Sequence, residues 1–94
     1  MKCIKSFSRS VRQEINRISM TLKQMEFRIL RMRGFLKRKL REEIQELKRM
    51  RDAILHKLSQ LTAEKRLHMP TMQSIRDDIA LLHDRCRQMK TQHL

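Results

Sequence analysis

The chain is nearly devoid of the residues that reverse a polypeptide. Its 94 residues include one glycine, Gly34, and one proline, Pro70. Sheet turns draw on Gly, Pro, Asn and Asp, so this poverty excludes a meander or barrel and leaves an all-α chain as the expectation. Tryptophan and tyrosine are absent, and the only aromatics are Phe7, Phe27 and Phe35. A platform for stacking unpaired bases is therefore missing, which argues against sequence-specific recognition of single-stranded nucleic acid. No run of 18 apolar residues occurs, which excludes a helical membrane span. Nor is there a secretory apolar core near Met1. Cys3 and Cys86 stand too far apart for a metal or redox motif and suggest a reducing, intracellular setting. There is no glycine-rich phosphate loop and no nucleophile motif, so the expectation is a protein that is not an enzyme and needs no cofactor. Acidic residues are also scarce, 10 against 23 Lys and Arg, for a net charge of +13.

What the chain has in quantity is helical periodicity. After Ile4, apolar residues fall at Phe7, Val11, Ile15, Ile18, Leu22, Met25, Ile29, Met32 and Leu36. Steps of three and four in alternation make a heptad seam. The same steps resume at Leu40, Ile44, Leu47, Arg51, Ile54, Leu58 and Leu61, and again from Met72 through Ile75, Ile79, Leu82, Cys86 and Met89. The helix-packing positions read this way are Ile15, Ile18, Leu22, Met25, Ile29, Met32 and Leu36, then Leu40, Ile44, Leu47, Ile54, Leu58 and Leu61, then Ile75, Ile79, Leu82 and Cys86. Met25, Met32, Met72 and Met89 read as adaptable core filler.

Two interruptions organise the chain. From Leu36 to Ile44 the seam slips by one residue, close to Gly34. A slip of this kind bends a helix or alters its supercoil, and glycine costs about 1 kcal/mol relative to alanine inside a helix. Pro70 disfavours helix at Met69. Thr71 or Ser74 could cap the next helix, with Asp77 and Asp78 in its first turn. The expected organisation is a basic long helix within residues 1–67, a turn at 68–71, a shorter C-terminal helix at 72–90 and a frayed tail at 91–94. At 1.5 Å per residue these helices would be roughly 90 Å and roughly 30 Å long. The chain would then be a coiled-coil hairpin or elongated rod, or, if bent near Gly34, a three-helix bundle. No loop residues flank Gly34, so the expectation is the rod, its N-terminal seam covered by a protein partner or by self-association.

Charge is unevenly spread. Residues 1–41 carry 13 Lys and Arg against Glu14 and Glu26, a net of +11; residues 42–70 and 71–94 each carry +1. The densest stretch holds Arg28, Arg31, Arg33, Lys37, Arg38, Lys39 and Arg41, the candidate polyanion-binding residues. Like charges this close repel along a helix, and such a cluster attracts an acidic partner. An acidic protein surface, such as a cytoskeletal assembly, is expected ahead of nucleic acid held through phosphate contacts. Arg33, Gly34 and Arg38 resemble the second half of a calmodulin-binding IQ motif, but Arg28 and Ile29 stand where its opening Ile-Gln pair belongs.

Three weaker signals complete the sequence. His83 and Cys86 are three apart on one helix, yet a metal site needs two more ligands, and only Cys3, His56, His68 and His93 remain, all remote. Residues 1–13 hold Lys2, Lys5, Arg9, Arg12 and three serines without an acid, as mitochondrial transit peptides do. The pattern runs on unchanged past Arg12, which reads as the start of an ordinary basic helix. Lys37–Arg41 has the composition of a nuclear localisation signal. The expected role is thus a coiled-coil structural or adaptor protein of the cell interior, cytoplasmic ahead of nuclear or mitochondrial.

Overall fold

The computed structural model describes residues 4–93, so Cys3 and Lys2 lie outside the described residues. Three helices succeed one another: α1 (Ile4–Ile29), α2 (Gly34–Ala63) and α3 (Met69–His93). Each packs on the other two, in a bundle of 50 × 17 × 17 Å. Of the architectures open to an all-α chain, the bent one is adopted.

The long helix expected within residues 1–67 is therefore two helices, and the reason is local. The connection spans residues 30–33. Arg33 is extended at φ −138° and ψ 159°, and Gly34 comes next at φ +80°. This left-handed geometry is open to glycine at little cost and expensive for residues with a Cβ. The end of α1 tightens before the reversal, with Arg31 N–H donating to the Arg28 carbonyl at 3.4 Å and Met32 N–H to that of Ile29 at 2.9 Å. Leu30, Arg31 and Met32 are good helix formers, but helical stability in proteins comes mostly from packing an apolar face. Folding back gives the α1 seam a partner inside its own chain.

That seam is fully used. Phe7, Val11, Ile15, Ile18, Leu22, Met25 and Ile29 of α1 are buried against Leu40, Ile44, Leu47, Ile54, Leu58 and Leu61 of α2. Met72, Ile75, Ile79, Leu82, Cys86 and Met89 of α3 complete the core. No polar side chain is buried among the described residues. Phe7 and Val11 lie in this core, so the basic segment at the start of α1 is an integral part of the bundle.

Two of the expected packing positions come out differently. Met32 lies in the connection and is only partly buried. Leu36 is 44% exposed. Lys57 pairs with Asp78 at 2.6 Å, and Arg85 reaches Met50 at 3.3 Å. Extending that antiparallel register sets His93, the last residue of α3, opposite Glu42. Leu36 sits one turn before Leu40, next to the connection, and lies beyond the last layer of the core, which ends at Ile29 on α1 and Leu40 on α2.

The second connection also differs from expectation. It runs over residues 64–68, and α3 already includes Pro70. Proline breaks a helix interior but suits the first turn, whose N–H groups have no partner in any case. The first bond of α3 runs from Met72 N–H to the His68 carbonyl at 3.0 Å. Ser74 is not a cap: its hydroxyl accepts from Lys57 Nζ at 2.9 Å. Asp78, past the first turn, holds the same ammonium. At its other end α3 continues through residues 91–93, where fraying was expected. Lys65 ends α2 at φ 55°, the left-handed position that commonly succeeds a helix.

The sign of one substitution tests the reversal. In a continuous helix Gly34→Ala would stabilise the chain by up to about 1 kcal/mol. At φ +80° it destabilises by about 1–2 kcal/mol, although the added Cβ meets nothing within 4 Å. Urea denaturation of both chains reads the sign directly.

Candidate functional site

The reversal gathers the basic cluster at one end of the bundle. Arg28 is in the last turn of α1, Arg31 and Arg33 are in the connection, and Lys37, Arg38, Lys39 and Arg41 lie in the first turns of α2. All but the half-buried Lys37 are exposed. Lys37 Nζ reaches back to the Leu30 carbonyl at 3.5 Å, across the connection. Among the described residues, no ion pair engages Arg31, Arg33, Arg38, Lys39 or Arg41, whereas ion pairs elsewhere hold Lys48, Arg49, Arg51 and Lys57. The α2 N-terminus adds to this potential. Arg33 makes no side-chain cap and the first turn holds no acid, so the positive end of the helix dipole has no counter-charge from its own first turn.

Apolar side chains share this end. Phe27, Leu30, Phe35 and Leu36 are all large and exposed. Phe27 and Leu30 line a groove of about 310 Å³ between α1 and α2, with Lys23, Arg41 and Gln45. Further along the same two helices lies a second groove of about 360 Å³, bordered by Arg12, Asn16, Arg51 and Leu55. A third, of about 840 Å³, is bordered by Lys5, Arg9, Arg12, Thr62 and Lys65. No α3 residue lines any of the three. Together they trace a furrow along α1 and α2. Its basic lower end is not evident as a site in the sequence, because Lys65 is remote from Lys5 and Arg9 until α2 folds back.

Comparison with known protein families, characterised proteins and solved structures finds no match for this chain. The side chains themselves must carry the functional reading.

His83 and Cys86 belong to the structure of the bundle. His83 Nε2 lies 2.8 Å from Glu14 Oε2, joining α3 to α1. Arg76 stacks over the Phe7 ring at 5.5 Å and joins the same two helices, a contact worth about 0.5–1 kcal/mol where exposed. Among the described residues no group of three His, Cys, Asp or Glu side chains could hold a metal. None of the described helices is long and apolar enough to cross a membrane.

Cys86 is a buried free thiol. Burial pushes its pKa above the ordinary thiol value, and Lys90 and Arg85 offset only part of that. In a Cys3→Ser chain, iodoacetamide therefore labels Cys86 at least about tenfold more slowly in buffer than in denaturant, because the thiolate is the nucleophile. The folded state also holds the thiol proton more tightly than the unfolded state. This stabilisation is complete below the unfolded thiol pKa and is lost as pH rises through the folded one. Stability measured against pH should therefore decline on the alkaline side, and less so in Cys86→Ala.

Proposed function

We propose that the chain is a non-enzymatic, intracellular adaptor whose basic α1–α2 end docks on an acidic protein surface. The observation that carries this reading is the concentration of cations without ion-pair partners at the reversal. Folding pushes these charges together, which opposes stability through self-repulsion, and the relief comes from a partner of opposite charge. Exposed Phe27, Leu30, Phe35 and Leu36 beside those cations suit a protein partner, which can cover both. The α1 seam is covered by α2 and α3, which leaves the basic end and its apolar neighbours as the surface for docking.

A second reading, nucleic-acid binding through phosphates, draws on Lys5, Arg9, Arg12 and Lys65 converging on one groove. Phosphate contacts release counterions, so that mode loses affinity steeply as salt rises.

A pull-down from cell extract at near-physiological salt separates the two. The comparison chain carries Arg31, Arg33, Arg38 and Lys39 all changed to Gln. These positions are exposed, and circular dichroism checks that the helices persist. The proposal expects protein partners that survive nuclease and are lost with the Gln variant. Partners that all vanish with nuclease would transfer the assignment to nucleic acid, and partners retained by the Gln variant would overturn the role of this end.

A further inference from the structure

The outer face of α1 carries an apolar stripe that the core does not use, and part of it lines the α1–α2 furrow. Met20, Phe27 and Leu30 are 65%, 66% and 61% exposed. They are spaced by seven and three residues, the spacing of a helix face built to pack. The seam that α2 and α3 cover contains none of them. Single exposed apolar residues are ordinary. Three in register on one helix, two of them lining a groove, form the kind of patch that marks an interaction surface.

Charge and shape identify the occupant. Lys23 and Arg41 border the groove near the reversal, and Lys5, Arg9, Arg12 and Lys65 border its far end. The acids in the furrow are already engaged: Glu26 by Lys48 at 2.9 Å and Asp52 by Arg51 at 3.1 Å. The open charge of the furrow is thus positive. Its shape is the trough between two packed helices, which a third cylinder fills well. A flat bilayer would meet the convex tip at Phe35 and Leu36 and miss the trough. An extended nucleic acid would leave the apolar stripe uncovered.

We infer that an acidic amphipathic helix of a partner protein seats in the α1–α2 furrow and completes a four-helix bundle. Its apolar face covers Phe27 and Leu30, and its carboxylates approach Lys23, Arg41 and Arg12. Recognition of this type, an amphipathic helix laid in an apolar groove, is read through anchors at helical spacing. The inference rests on the reading that this basic face docks an acidic protein.

The test uses the full chain and two labelled synthetic peptides of about 21 residues, or three heptads. One places leucines at heptad positions among glutamates and alanines; the other scrambles the same composition. Fluorescence anisotropy gives both affinities, for the native chain and for Phe27→Ser/Leu30→Ser. Both changed residues are exposed, and a thermal melt checks that the variant folds. The heptad peptide is expected to bind at least about tenfold more tightly than the scrambled one, and to lose at least about tenfold on the variant, roughly 1.4 kcal/mol each. Equal binding of both peptides, unchanged by the variant, would overturn the furrow while leaving the acidic-partner reading intact. Binding of neither peptide would overturn both. Vesicles of phosphatidylserine and phosphatidylcholine, or an RNA oligonucleotide, that displace the bound heptad peptide through Phe27 and Leu30 would also overturn the inference and reassign the surface.

Discussion

The backbone reversal at Arg33 and Gly34 is the constraint on which the rest of the molecule depends. An extended residue succeeded by one at φ +80° turns α2 back along α1. Three results come together from that turn. The α1 seam finds its cover within the chain. The cations of residues 28–41 move from a line along a rod to a cluster at one end. The flanks of α1 and α2, remote in sequence, become the two walls of one furrow. The residues of the connection are nearly all compatible with helix, so the reversal is decided by packing and permitted by a single glycine.

Polar contacts then hold the register. Glu26–Lys48 and Ser19–Arg51 tie α1 to α2, Lys57–Asp78 ties α2 to α3, and Glu14–His83 ties α1 to α3. These ties are at least partly exposed, so each contributes modestly, within about 1 kcal/mol. Their value lies in alignment. Arg51 occupies a heptad core position on α2, and its side chain, 23% exposed, donates to Ser19 at 3.3 Å. A polar group at a core position fixes which layers face one another, at some cost in stability.

Much of this is legible in the residues, for reasons that can be named. Heptad steps require helices whatever their tertiary arrangement, so the core from Ile15 to Ile29 and from Ile75 to Cys86 can be read directly. The slipped seam points to the neighbourhood of Gly34, although the chain breaks at residues 30–33, just ahead of that glycine, and the eight-residue interval from Leu36 to Ile44 is itself unbroken helix. Whether the chain breaks cannot be read, because Leu30, Arg31 and Met32 would sit equally well in a helix and the deciding energy is tertiary. Leu36 fits the seam by spacing, and its exposure comes from lying beyond the last core layer, beside the connection, which no local pattern encodes. Pro70 reads as a boundary because proline stops helices; in the folded chain it serves in a first turn. Met20, Phe27 and Leu30 are hidden as a stripe because the stronger seam dominates the same periodicity.

The most direct test of the reversal is the radius of gyration in solution, measured by small-angle X-ray scattering. The folded-back chain predicts a value close to the 15.2 Å of its Cα trace, slightly enlarged by side chains and hydration. A continuous helix of about 90 Å, at 1.5 Å per residue, would give about 25 Å. A value near the lower figure upholds the hairpin, the clustered charge and the furrow together. A value near the higher one would contradict all three, since each exists only where α2 returns along α1.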